Sequence, residues 1–271
     1  ALEGLDNSDL LDLMVEGEDW ALFPPVPYDP EQSKVRGEIE ALQPPTLKHV
    51  MGTDDRGRDV FARVIHGTRV SLSIGFVAVG IYVIIGLLLG AIAGYSGGMV
   101  DSAITRLIEV MMSFPTFFFI LTIQGLLERT SIMQLMFIIG VTRWTDVARL
   151  VRGEILRIKN EEYIVAARAA GLGTLRLLTR HILPNAMGPV LVSASFGVAG
   201  SVLIEAALSF LGFGTPPPTA SWGEILTQAY QHPECWWLMV FPGGTLFLTV
   251  LTYNLVGEGL RDAVDPRLLY E

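Results

Sequence analysis

Between Arg69 and Asp101 the chain carries no charged side chain. A spanning α-helix needs about 20 consecutive apolar residues, and this run exceeds that length. With no water to bond to, a helix also satisfies its backbone N–H and C=O groups within its own segment. One span is therefore predicted at about 71–93, and further intervals nearly free of charge follow at about 107–127, 187–210 and 236–257. The interval 131–151 differs, because only Thr130 to Thr142 is uncharged before Arg143, Asp146 and Arg149 recur at three-residue spacing. Alone it could be half-buried; the alternation of the flanking loops between two sides favours a fifth span there. Composition agrees: of 271 residues 51% are hydrophobic and only 17% charged, too apolar for an ordinary soluble domain.

The longest polar interruption is the stretch EYIVAARAAGLGTLRLLTRHILPN, from Glu162 to Asn185. It reads as two short helices around a glycine hinge. Asn160 can cap the first helix, and Glu161 and Glu162 then fall in its first turn, where the helix dipole favours negative charge. Gly171 and Gly173 break that helix, and Thr174 can cap a second one. In the second, Leu175, Leu178 and Ile182 are expected to share a face, Arg180 and His181 occupy the last turn, and Pro184 ends it.

Ala166, Ala167, Gly171, Leu183 and Pro184 in this stretch resemble the signature of the EAA loop in permease subunits of bacterial ABC importers. Val165 stands where that family usually has Glu, and His181 where it usually has Ile. HILPN resembles the peptide and nickel branch. So do GTDDRGRDVFARVIHGTRVSL from Gly52, SFLGFGTPPPTASWGEIL from Ser209 and GLRDAVDPR from Gly259, which resemble C-type subunits of that branch. The resemblance covers residues 50–271. It implies an all-α membrane protein, a polytopic helical bundle of the type I ABC importer permease kind. It also implies a span at 131–151, and contact between the loop and ATPase subunits through Glu162, Ala166, Ala167, Gly171, Leu175, His181, Leu183, Pro184 and Asn185. The bland alternative is an amphipathic pair lying on the membrane or packing within its own chain.

The loop and its approach hold Arg149, Arg152, Arg157, Lys159, Arg168, Arg176 and Arg180, whereas Leu211 to Cys235 contains no Lys or Arg. By the positive-inside rule the loop is cytoplasmic. Counting back three spans puts residues 1–68 outside, as an extracytoplasmic segment with a membrane-surface lead-in. Residues 69–260 form the membrane domain, 152–185 the cytoplasmic loop within it, and 261–271 a cytoplasmic tail. Lys48, Arg56, Arg58, Arg63 and Arg69 argue locally for the opposite, but charge bias orients long segments poorly. Five spans with an external start point to a further N-terminal span missing from this chain; relatives of this kind begin with one.

Ionisable groups inside spans usually face a bundle interior or a water-filled path. Glu109 and Glu205 qualify as candidates for the translocation path. Glu109 also sits three residues after Arg106, the spacing of a helical ion pair, and Glu205 could equally bond a neighbouring helix. Gly86, Gly90 and Gly94 recur on one helix face, for packing or for contact with a second permease subunit. Pro115, Pro189 and Pro242 can kink helices. Outside, Arg56 and Arg58 occupy positions where a calcium loop wants oxygen ligands, which argues against a metal at GTDDRGRD. Arg63 and Arg69 are expected on a short surface helix, and 220–231 on a short external one that either receives a binding protein or caps the bundle. Trp222, Tyr230, Trp236 and Trp237 fit an interfacial belt.

No GxxxxGK[ST], GxSxG or HExxH occurs, and the four histidines are scattered, so the chain reads as non-catalytic. A net charge of -9, with Asp6, Asp9, Asp12, Glu16, Glu18 and Asp19 clustered near the start, argues against nucleic acid. The expected function is that of a multi-pass permease subunit in the bacterial inner membrane. It would form half of a path for di- or oligopeptides, in an expected hetero-dimer with a second permease chain. Two cytoplasmic ATPase subunits would bind ATP and Mg, an extracytoplasmic binding protein would deliver substrate, and this chain would need no cofactor. The alternative is a self-sufficient channel or secondary transporter with a coupling ion at Glu109 and Glu205.

Overall fold

The computed structural model describes residues 28–31, 41–127 and 131–264. The acidic N-terminal run and the end of the tail lie outside the described residues. Among those described the regular elements are helices, with one isolated antiparallel bridge between Thr53 and Asp59. They are α1 (Val60–Ser96), α2 (Gly98–Met112), α3 (Thr116–Leu126), α4 (Ile132–Thr142), α5 (Trp144–Ile158), α6 (Glu162–Ala169), α7 (Thr174–Leu177), a π-helical turn (Leu178–Ile182), α8 (Leu183–Phe210), α9 (Trp222–Gln231) and α10 (Trp236–Val264). Three continuous helices, Val60–Ser96, Thr174–Phe210 and Trp236–Val264, are long and apolar enough to cross a bilayer. The pair α2 and α3 makes a fourth if it is taken as one span, bent by 77°. Pro115 is the residue before α3, where its missing N–H lies among groups that have no intrahelical partner anyway. Pro189 and Pro242, in contrast, are carried inside α8 and α10.

The interval 131–151 is not one helix. It divides at Arg143, whose backbone (φ -102°, ψ 5°) leaves helical geometry, so α4 has 11 residues and α5 has 15. α4 is capped by Ser131, whose hydroxyl accepts the Gln134 N–H at 3.2 Å. The helix break falls at the first charge after the apolar run.

Contacts divide the chain into two compact units. The first comprises the described residues up to Ser73 together with Glu205–Leu248. Its interior is ionic. Arg58 Nε meets Asp54 Oδ2 at 2.7 Å, Arg63 Nε approaches the same oxygen at 3.3 Å, and the other face of Arg63 pairs with Glu224. Arg63 also donates from Nη1 to the Pro30 carbonyl at 2.8 Å. The expected short surface helix is absent: Arg63 lies in the first turns of α1 and is wholly buried, while Arg69 is exposed. Asp59 precedes α1 and accepts the Ala62 N–H at 2.8 Å, with His49 Nδ1 at 2.8 Å on its other oxygen. Burial, then the neighbouring Asp54 carboxylate, push the Asp55 carboxyl above its usual range. α9 forms as expected, capped by the Ser221 hydroxyl on the Glu224 N–H. Two residues expected in an interfacial belt are instead buried here: Trp222 donates to Val64 O at 3.0 Å and Trp237 to Thr53 O at 3.1 Å. Tyr230 and Trp236 remain exposed.

The second unit comprises Ile74–Ile204 and the residues from Thr249 onward. Its core is the contact of α1 with α5. A Cβ on Gly86 would stand 2.6 Å from Val147 Cβ, on Gly90 2.5 Å from Ala148 O, and on Gly94 2.9 Å from Arg152 O. The glycine stripe therefore packs against this chain's own α5, in the manner of small-residue seams between membrane helices. Polar ties sit at one end of the same contact. Lys159 Nζ donates to Gly94 O at 2.8 Å, satisfying a carbonyl of the last turn of α1, and Arg152 grips Asp101 of α2 with Nε at 2.5 Å and Nη2 at 2.8 Å.

Gly90→Ala should lower stability by about 1–3 kcal/mol, the usual range for overpacking. Gly80→Ala, where a Cβ meets nothing within 4 Å, should be neutral or slightly stabilising. Thermal unfolding of the two purified variants in one detergent checks the difference.

Candidate functional site

The polar loop is assembled between α5 and α8, all within the second unit. Only Lys159–Glu161 separates α5 from α6. Asn160 does not cap α6; its amide donates back to Leu156 O at 3.0 Å, and Glu161 holds the N-cap position without a side-chain bond. α6 ends in a Schellman turn. Gly171 has φ +84°, its N–H bonds Arg168 O at 3.0 Å, and the Leu172 N–H reaches back to Ala167 O at 3.2 Å. That φ is a left-handed conformation which a Cβ would strain, so the hinge needs glycine.

The second arm departs further from expectation. Gly173, not Thr174, precedes α7 as its N-cap. Pro184 does not end the helix: helical structure continues from Thr174 to Phe210. The turn Leu178–Ile182 is π-helical, and the Leu183 N–H bonds Leu178 O five residues back. A proline ring normally clashes with the carbonyl four residues earlier, and the wider turn shifts the carbonyls beneath it.

This turn also resets which side chains point inward. Leu177 and Ile182, five residues apart, are both fully buried, whereas Leu175 is 75% exposed and Leu178 half-buried. The expected face of Leu175, Leu178 and Ile182 followed α-helical spacing, which a π turn breaks. Ile164 of α6 is fully buried too, and with Leu177 and Ile182 it joins the core that contains Ile155 and Ile158 of α5. The two arms are tied by Asn185, whose Nδ2 donates to His181 O at 2.6 Å and lies 3.3 Å from the Tyr163 hydroxyl.

The predicted site residues thus fall into two sets. Ala167, His181 and Leu183 are half-buried, and Asn185 bridges the arms, so they hold the loop's shape. Glu162, Ala166, Gly171, Leu175 and Pro184 are exposed on its surface. Exposed cations Arg168, Arg176 and Arg180 accompany them and form no ion pair among the described residues. The anchors Ile164 and Leu177 were missed by sequence reasoning; for Leu177 the reason is its five-residue spacing to Ile182, which matches neither helical nor strand periodicity.

Glu109 lies apart from the loop, in an exposed pair with Arg106 at 2.8 Å. Glu205, in the first unit, has no solvent exposure and is enclosed by hydroxyls. Ser209 Oγ donates to Oε1 at 2.8 Å, Thr215 Oγ1 reaches the same oxygen at 3.3 Å, and Ser71 Oγ lies 3.4 Å from Oε2. Of its two sequence readings, this is the geometry of a bond between neighbouring segments.

Residues 86–270 match the family described as binding-protein-dependent transport system inner membrane component. The chain belongs to that family. Its relatives include the dipeptide transport system permease protein DppC of Alkalihalophilus pseudofirmus, 40% identical over 84% of this chain and 75% of the relative. The oligopeptide transport system permease protein OppC of Bacillus subtilis is 38% identical over 85% and 75%. The di/tripeptide transport system permease protein DppC of Pseudomonas aeruginosa is 39% identical over 92% and 84%. Among solved structures, the MetNI methionine ABC transporter in inward-facing conformations aligns with a TM-score of 0.59 over 75% of this chain and 96% of that one. Its 18% identity speaks for a shared fold. The loop described above is therefore part of a multi-pass inner-membrane permease.

The π register makes a differential prediction. Leu177→Ala should destabilise the permease by about 2–5 kcal/mol, as buried leucines do, and Leu175→Ala by no more than about 0.5 kcal/mol. Denaturation of the two variants side by side checks it; α-helical spacing would give the reverse order.

Proposed function

We propose that this permease forms half of the path of an ATP-driven peptide importer and is moved by cytoplasmic ATPase subunits that grip the α6–α7 loop. The observation that carries the coupling reading is the loop's construction. A knob transmits force only if its exposed face is rigidly joined to the spans, and here one arm is pinned to α5 through Ile164 while the other is continuous with α8. The exposed Leu175, Ala166 and the three arginines, which form no ion pair among the described residues, offer an apolar centre with a basic rim. An acidic-rimmed groove on each ATPase is the complementary surface.

Peptides as cargo are supported by the three relatives' names and by their extent along the chain. A second permease chain, two ATPase subunits that bind ATP and Mg, and an external binding protein complete the assembly. The loop and tail face the cytoplasm, and the residues before α1 face outward. An ion-coupled transporter finds less support, because Glu109 is engaged by Arg106 and Glu205 by hydroxyls.

Leu175→Asp places a charge at the centre of the exposed face without touching the core. It should lower co-purification of the ATPase subunits at least about tenfold, roughly 1.4 kcal/mol or more, and abolish ATP-dependent uptake. Undiminished co-purification and uptake would show that the loop is not the grip.

A further inference from the structure

At the break between α4 and α5 the second unit forms a half-open cavity of about 190 Å³, bounded by Tyr82 of α1, Arg143, Asp146 and Val147, and Ser193, Phe196 and Gly197 of α8. Arg143 Nη1 is buried and makes no hydrogen bond among the described residues. Its guanidinium lies over the Tyr82 ring at 5.7 Å. The acid in the same cavity does not neutralise it: Asp146 pairs with Arg149 at 3.4 Å, both exposed. An arginine within the apolar part of a membrane protein is expected to pair or to serve a functional site. Among the described residues no acidic side chain pairs with it.

The surroundings are shaped to keep this cation open. A Cβ on Gly200 would stand 3.0 Å from Arg143 Nη1, and one on Gly197 would overlap the Tyr82 hydroxyl at 1.5 Å. Two glycines of α8 therefore make the room in which the guanidinium and the phenol sit. Among the described residues the hydroxyls of Tyr82 and Ser193 make no hydrogen bond, which leaves two neutral donors lining the cavity with a planar cationic one. Three donors lining one cavity match an acceptor-only group with two oxygens, a carboxylate, which a guanidinium can bind through two parallel N–H bonds. Phe196, partly exposed at the cavity, supplies an apolar wall for what is attached to it.

We propose that Arg143, with Tyr82 and Ser193, binds the terminal carboxylate of a peptide in transit through the membrane. The inference rests on the peptide reading above and adds a site to it. An unmodified peptide of any sequence carries one such carboxylate, so this contact selects peptides as a class without selecting among side chains. The cavity accepts the end group alone. A half-enclosed pocket of this size suits it better than a helix from a partner subunit, which would need an open face.

The test uses the complete importer. ATP-driven uptake of trialanine is measured in proteoliposomes supplied with the binding protein. Weak binding of trialanine and of its C-terminal amide is measured by saturation-transfer NMR on the permease–ATPase complex in nanodiscs without the binding protein. Arg143→Gln should reduce trialanine uptake about tenfold or more and abolish the preference of the complex for acid over amide. Arg143→Lys, which keeps the charge but not the fork, should restore part of both. Tyr82→Phe removes a single hydroxyl from an otherwise intact ring and should lower the preference by several-fold, which keeps the test open if Arg143→Gln fails to assemble. Equal binding of acid and amide to the wild type, or a preference unchanged in Arg143→Gln or Tyr82→Phe, overturns the site while leaving peptide import standing. A wild-type complex that takes up no trialanine counts against the peptide reading, and the site falls with it.

Discussion

The approach of α1 to α5 along Gly86, Gly90 and Gly94 is the contact on which the rest of the second unit depends. The apolar drive that packs soluble helices is weak in lipid, so close backbone approach and polar bonds must position helices. Here both operate on one pair. The glycines let α1 reach the Ala148 and Arg152 carbonyls, and Lys159 and Arg152 close one end of the contact against Gly94 and Asp101. α5 is fixed along its length, and the loop begins three residues after it ends. Charge placement serves geometry here.

The loop inherits that order from both sides. Ile164 and Leu177 bury apolar side chains in the core that α5 shares, the Schellman turn at Gly171 closes the backbone, and Asn185 joins the arms. The π turn is the less obvious part. It allows a proline near the start of α8 without breaking the helix, so that Thr174–Phe210 is one element of roughly 55 Å at the usual rise per residue. Exposed Leu175 near one end of that element and the cavity beside Gly197 and Gly200 are thereby on a single rod. On the proposed coupling, force applied at the loop would carry α8 with it.

How much of this was legible in the sequence follows from which physical signals are local. Absence of charge marked α1, α8 and α10, because the cost of burying a charge in lipid acts residue by residue. Gly171 was legible for the same reason, since a left-handed hinge is a property of one residue. What failed depended on partners. Thr174 and Asn160 have the chemistry of caps, yet chain entry placed Gly173 and Glu161 there. Pro184 looked terminal because the widened turn before it leaves no residue signature. Arg63 was expected on a surface helix, and its burial depends on Asp54 and on Glu224, the latter more than 150 residues away. Arg143 was visible as a charge in a doubtful span, but its missing partner became apparent only once Tyr82 and α8 closed around it.

The central claim is that the loop and α8 move together. Spin labels at Arg176 and Leu191, both exposed, report on it directly by pulsed dipolar spectroscopy in the assembled complex. Fifteen residues of continuous helix place their Cα atoms roughly 22 Å apart. The account predicts one narrow distance distribution, unchanged between nucleotide-free and ATP-bound states. A nucleotide-dependent shift of about 5 Å or more, close to one helical turn, would mean that the chain hinges between α7 and α8 and would contradict rigid coupling through the π turn.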